Sequence, residues 1–237
     1  MEKTEDLYRK NYKIIQDTDM FCFGIDAVII AHFADIKENK KVLEIGSGNG
    51  IIPLLLSARD KGSEIVGIEI NKKNVQLANR NVELNKIKNI RILEMDIKEA
   101  DEEFELASFD CVITNPPYTK AGVGKISKNE NVAIARHEIM CTLEDIIKNA
   151  SKLIKNKGEF YMINRVDRLD DFFKLANKYN IKPVVLKFVH SKINTDATLF
   201  MVKAVKNVKT ELKIEKPLII YDNDGAYTDE INEIYYK

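Results

Sequence analysis

Apolar residues recur along the chain with two alternating periods, and the alternation predicts most of the elements. Ile25, Val28, Ile29 and Phe33 fall at helical spacing, with Gly24 and Asp26 where such a helix would begin. The period then changes. Lys41-Val42-Leu43-Glu44-Ile45 reads as a strand, Gly46 to Gly50 as a turn, and Ile51 to Arg59 as a helix with Pro53 in its first turn, where proline costs little. A second strand is predicted over Glu64 to Ile70, a helix over Asn71 to Asn85, a third strand over Ile90 to Met95 and a fourth over Phe109 to Thr114. Further on, Thr142 to Ile154 reads as a helix ended near Gly158, Glu159 to Asn164 as a fifth strand and Arg168 to Tyr179 as another helix. Two strands, near Lys182–Val189 and Thr198–Val205, complete the set. Strands that alternate with helices in this way predict an open, mostly parallel sheet covered on both faces. Residues 1–20 read as an irregular or hairpin-like lead-in, and the tail runs through Pro217-Leu218-Ile219-Ile220-Tyr221. No repeat, low-complexity stretch or composition break interrupts the pattern, so one domain is expected over residues 1–237, with 1–35 as lead-in and first helix.

Composition narrows the picture. At 237 residues and 45% hydrophobic content the chain can fill a sizeable core. Lys+Arg and Asp+Glu both total 37, so nothing in the overall charge draws the protein toward phosphate, and any nucleic-acid surface must be a local patch. Cys22, Cys111 and Cys141 have no metal-ligand spacing; an odd, scattered set suits a reducing compartment, and a cytoplasmic protein without a bound metal is expected. The N-terminus is charged and no apolar run approaches the ~20 residues that cross a bilayer, so neither a signal peptide nor a membrane span is expected. No obligate protein partner is indicated.

Candidate chemistry begins at Glu44-Ile45-Gly46-Ser47-Gly48-Asn49-Gly50. Glycines at alternate positions after a strand let the backbone turn tightly and approach a bulky ligand, and the helix start that follows offers free N–H groups. A dinucleotide site would carry G-x-G-x-x-G with pyrophosphate on the helix N-terminus, whereas this turn is G-x-G-x-G preceded by an acid. Glu44 would repel a pyrophosphate and attract a sulfonium or α-ammonium group. Glu69 ends the second strand, 23 residues after Gly46, where a carboxylate can accept from two ribose hydroxyls. Asp96, after the third strand, can accept from an adenine amino group. Alone, each acid is an ordinary solvated strand end; together with the glycine turn they outline a ligand site at the carboxyl edge of a parallel sheet. Asp101-Glu102-Glu103 reads as a solvated connection.

Asn115-Pro116-Pro117-Tyr118 closes the fourth strand. The Asn115 amide oxygen and the Pro116 carbonyl are two acceptors with no prolyl N–H to compete for them, an arrangement suited to gripping an amino group. The Tyr118 ring on the same turn can stack on a planar base, a contact worth roughly 1–3 kcal/mol in nucleic-acid complexes.

Through Glu44 to Gly50, Glu69, Asp96 and Asn115 to Tyr118 the chain resembles the Rossmann-like S-adenosylmethionine-dependent methyltransferases. That resemblance implies a seven-stranded sheet with its last strand antiparallel, S-adenosylmethionine across strands one, two and four, and methylation of a nitrogen in a planar system. A narrower resemblance, to the bacterial tRNA1(Val) adenine-37 N6-methyltransferases, is carried by Ala135-Arg136-His137-Glu138, Phe21 to Ala27, Phe188 to Lys192 with Thr198 to Val202, and Pro217 to Tyr221 with Tyr227-Thr228. It implies tRNA as the partner and Asp26 beside the methyl donor, with Glu44, Gly46, Gly48, Gly50, Glu69, Asp96 and Asn115 holding that donor. Asn115, Pro116, Pro117 and Tyr118 form the catalytic set in this reading, with Lys120, Lys125, Lys128 and Arg136 as candidate phosphate contacts. The lysines also read as a solvated loop, and His137 as structural or substrate-positioning, since this chemistry demands no base. The alternatives that remain open are a guanine N2 enzyme of rRNA, a DNA adenine N6 enzyme, a protein glutamine enzyme, or an inactive RNA-binding protein.

Overall fold

The computed structural model describes residues 1–20, 22–118 and 141–236. The lead-in is a hairpin in which β1 (Glu2–Asp6) pairs antiparallel with β2 (Lys13–Asp17). Helix α1 (Ile25–Phe33) follows, and then the expected alternation of β3 (Lys41–Ile45), α2 (Ile51–Ala58), β4 (Glu64–Glu69), α3 (Lys72–Leu84) and β5 (Ile90–Glu94). A short α4 (Ala100–Glu103) leads to β6 (Phe109–Thr114). Beyond residue 141 come α5 (Leu143–Leu153), β7 (Ile154–Arg165), α6 (Leu169–Lys178), β8 (Ile181–His190) and β9 (Ala197–Lys206). The tail adds two-residue strands β10 (Lys213–Ile214) and β11 (Leu218–Ile219) and a final helix, α7 (Asp229–Tyr236).

The large sheet has the order β10-β8-β9-β7-β6-β3-β4-β5, with β11 also against β8. Strands β7, β6, β3, β4 and β5 pair in parallel, while β9 is antiparallel to both of its neighbours. This is the expected Rossmann-like sheet with its last long strand reversed. It has nine strands rather than seven because β10 and β11 add short parallel edges to β8.

Two further features depart from the pattern reading, and a third, the acidic run, keeps its place as an exposed connection while gaining a helical turn. Gly158 does not stop a helix: α5 runs directly into β7, and Gly158 lies within that strand, beside the register shift between Phe109 and Cys111. A glycine inside a strand marks such irregularities. The acidic run at 101–103 is one helical turn, with Asp101 paired to Lys152 at 2.7 Å. Helix α7 was not expected; it buries Ile231 and Ile234.

Because the central strands are covered on both faces, their residues are apolar almost without interruption. Val42, Ile65, Cys111 and Ile113 face the side carrying α1, α2, α3 and α7, and Leu43, Val66, Val112 and Met162 face α4, α5 and α6. Each fully buried aliphatic side chain contributes about 1.5–3 kcal/mol, which holds the strand ends in place. The lead-in hairpin is tied to α3 by side chains that imitate a strand. Asn81 Oδ1 accepts from Ile15 N at 2.7 Å and its Nδ2 donates to Ile15 O at 3.1 Å, while Asn85 makes the same pair with Lys13. Among the described residues no helix is long and apolar enough to cross a membrane.

Candidate active site

After β3 the chain moves outward through β4 and β5 and then returns to β6 on the other side of β3. Neighbouring connections therefore leave in opposite directions at the carboxyl ends of β3 and β6, and a cleft opens there. About 1160 Å³ of atom-free space, part of it open to solvent, is lined by Glu44 to Asn49, Glu69, Asn71, Met95, Asp96 and Thr114 to Pro117. The glycine turn, three acids and Asn-Pro-Pro segment singled out in the sequence thus meet in one place.

The turn is built by positive backbone angles: φ is 77° at Gly46, 52° at Gly48 and 85° at Gly50, a region costly for residues with a Cβ. Gly46 N and Ser47 N both donate to Ile68 O, at 2.9 and 3.1 Å, locking the turn to β4. Gly67 in β4 makes this possible, since a Cβ there would stand 2.3 Å from Ser47 Oγ. Asn81 Nδ2 adds a bond to Asn49 O at 3.0 Å, so one asparagine holds both the lead-in and the turn. Neither Gly67 nor Asn81 stood out in the sequence: a lone glycine in a strand and an asparagine in a helix carry no local signature of a site.

The acids differ in their surroundings. Glu69 accepts from Gly48 N at 2.9 Å and from Asn71 N at 2.8 Å, so it is held by the backbone and retains free lone pairs toward the cleft. Asp96 caps the turn at Ile97–Glu99, accepting from Lys98 N at 3.0 Å, and lies beside the Lys98 ammonium at 3.1 Å. Glu44 is 1% exposed, and its Oε2 has no hydrogen-bond partner. Burial pushes its carboxyl well above the ordinary range and the Glu69 charge adds to this, while a hydrogen bond from Ser47 opposes it. A buried carboxyl with an unused oxygen in a cleft is a seat for a cationic ligand group.

The Asn115 corner is organised by side chains. Thr114 Oγ1 donates to Ile45 O at 2.9 Å, tying the end of β6 to that of β3. Asn115 Nδ2 donates to Asp26 Oδ2 at 3.2 Å, and Asn115 Oδ1 lies 2.8 Å from the Tyr118 hydroxyl, which also contacts Asp26 Oδ2. Burial and then the Asp26 charge push the Tyr118 phenol well above its ordinary value, so it stays a neutral hydroxyl. Asp26, expected beside the donor, is not among the lining residues, although Gly24 and Ala27 on either side are. Lys120, Lys125, Lys128, Arg136 and His137 lie outside the described residues. Among the described residues, no group of three or more His, Cys, Asp or Glu side chains is placed to hold a metal ion.

Comparison with known proteins agrees with this geometry. Residues 36–224 match the family described as methyltransferase domain. The chain is 27% identical over 227 residues, 95% of its length and 94% of the relative's, to the tRNA1(Val) (adenine(37)-N6)-methyltransferase of Haemophilus influenzae (strain 86-028NP). It is also 27% identical over 236 residues to the protein of that name from Histophilus somni (strain 2336), covering 99% of this chain and 97% of that one. Among solved structures, a predicted O-methyltransferase from Agrobacterium tumefaciens superposes with a TM-score of 0.70 at 21% identity, over 89% of this chain and 95% of the other, a likeness of fold.

Proposed function

The chain belongs to the methyltransferase-domain family, and on that premise we propose that it moves a methyl group from S-adenosylmethionine to an adenine N6 amino group in tRNA, at position 37 of tRNA1(Val). The observation that carries the reading is the Asn115 amide at the end of β6, opening on the same cleft as the glycine turn, with its nitrogen donating to Asp26. The relatives' name supplies the RNA target, and their lengths match this chain nearly end to end.

The residues present fit the donor. The unused Glu44 oxygen suits its cationic groups, Glu69 its ribose and Asp96 its adenine amino group, and the glycine turn leaves room for backbone N–H contacts. When bound, the donor supplies an electrophilic methyl carbon on a sulfonium. The protein's part is to hold the nucleophile. The adenine N6 lone pair is delocalised into the ring, and accepting its two hydrogens at Asn115 Oδ1 and the Pro116 carbonyl favours a pyramidal nitrogen whose electrons are available. Alignment of this kind can supply ~7–11 kcal/mol of the barrier. A loop base beside an anticodon is single-stranded, so presenting it costs less than flipping it from a duplex. Transfer of labelled methyl into tRNA lacking the modification, followed by nucleoside mass spectrometry, is expected to give N6-methyladenosine. Its absence, or label in N2-methylguanosine or in DNA alone, would reject the assignment.

A further inference from the structure

Asp26 and Asn115 are 89 positions apart in the chain, yet their side chains meet. Three side chains of this corner are in mutual polar contact. Asp26 Oδ1 accepts from Ala27 N at 3.0 Å, which pins the carboxylate on the first turn of α1, and Oδ2 accepts from Asn115 Nδ2 at 3.2 Å. Gly24 leaves the room this requires, since a Cβ there would stand 2.7 Å from Asp26 Oδ1. The Tyr118 hydroxyl sits against both Asp26 Oδ2 and Asn115 Oδ1.

An amide presents a donor at one end and an acceptor at the other, and its two flips have nearly the same shape. A carboxylate only accepts, so it attracts the Asn115 nitrogen and repels the Asn115 oxygen. That preference decides which end of the amide is left over. With Nδ2 held by Asp26, Oδ1 is the end available to an incoming amino group; the other flip would present N–H to N–H. We propose that Asp26 is a positioning residue for methyl transfer, holding the Asn115 amide in the flip that leaves its oxygen as acceptor, with the Tyr118 hydroxyl resting beside that oxygen until a substrate amino group takes its place. This rests on the reading that Asn115 receives the target amino group. It moves Asp26 from the donor's contacts, where the resemblance put it, to the acceptor's side of the cleft.

Two variants of the full-length chain test it. Asp26→Ser keeps a residue favoured at a helix start, so α1 persists, but is too short to reach Asn115. Asp26→Asn keeps the shape but turns one of the two accepting oxygens into a donor, so it no longer selects the flip of the Asn115 amide. The expected result is that Asp26→Ser lowers kcat on unmodified tRNA at least tenfold while affinity for S-adenosylhomocysteine, measured by calorimetry, stays within twofold. Asp26→Asn, which can offer an N–H to Asn115, recovers little of the loss. The contact is also read without any substrate: the Asn115 side-chain amide resonance, assigned by its disappearance in Asn115→Ala, exchanges slowly with solvent in the wild type and faster in both Asp26→Ser and Asp26→Asn. The proposal is overturned if that exchange is the same in all three, if Asp26→Ser loses cofactor-product affinity in step with turnover, or if Asp26→Asn turns over as fast as the wild type. A wild type that leaves tRNA unmethylated rejects the function proposed above, and the amide exchange still decides the role of Asp26.

Discussion

The two sides of the cleft are held together by different means. On the side of Glu44, Gly46 to Gly50 and Glu69 the supports are mainly backbone groups in or just past adjacent parallel strands, Ile68 O, Gly48 N and Asn71 N, with one side chain, Asn81, added. On the side of Asn115 they are side chains, Asp26 from a distant part of the chain and Tyr118 from the same turn. The first kind of support is set once the sheet forms; the second exists only while three particular side chains agree. A donor shared by a whole class of enzymes can be seated by backbone, whereas choosing and aiming one nucleophile requires side chains whose replacement changes the choice.

The largest expected effect comes from breaking the side-chain corner. Asn115→Ala should lower kcat by ~10²–10³, the usual cost of losing one preorganised polar group at a reacting centre, with S-adenosylhomocysteine affinity almost unchanged. Equal losses in both would mean that the two sides are not separable. Next comes the backbone-held side. Glu69→Ala removes the acceptor of two N–H groups and should weaken donor binding by ~1.5–3 kcal/mol, roughly tenfold to a hundredfold, with kcat at saturating donor little changed. A fall in kcat alone would contradict this. A smaller change is expected from Tyr118→Phe, which keeps the ring and removes the hydroxyl that lies against Asn115 Oδ1. If that hydroxyl competes with the substrate, KM for tRNA falls by at most about tenfold, the scale of one neutral hydrogen bond; a rise in KM would show that the hydroxyl helps binding.

The smallest effect is on stability and has the opposite sign. Burial raises the Glu44 carboxyl in the folded protein, whereas in the unfolded chain it ionises near the ordinary value of about 4.3. The unfolded state therefore sheds this proton first, and stability is lost as pH rises from there toward the folded value. Glu44→Gln should melt a few degrees higher than wild type at pH 7, for a gain of ~0.5–2 kcal/mol, should lose that advantage near pH 4, and should bind the donor less well. Melting curves at the two pH values check the sign, and a variant that melts lower at pH 7 would show that the carboxylate stabilises the fold.

Much of the architecture was legible in local pattern. The strand from Phe109 to Thr114 and the parallel alternation through Glu94 follow from apolar periodicity, because buried strands of a parallel sheet have no polar face to blur the signal. The Gly46–Gly50 turn was legible because few residues other than glycine tolerate those backbone angles. Less visible were the parts whose reason lies elsewhere in the chain. Gly158 looked like a helix stop and lies within a strand, and α7 has buried residues too few and too spaced to stand out. Asn81, an ordinary helix residue in sequence, proves to tie the lead-in to the glycine turn.

By itself, then, the order of residues determined the sheet, the glycine turn and the set of polar groups gathered at one edge, since each depends on neighbours a few positions away or on burial common to every strand. Only the folded chain decided what those groups do to one another: that Glu44 is sealed from water, that Glu69 is spoken for by two backbone amides, and that Asp26 turns to Asn115. Direction and partnership of a side chain are set by whatever is packed against it, and for Asp26 and Asn115 that neighbour is 89 residues away.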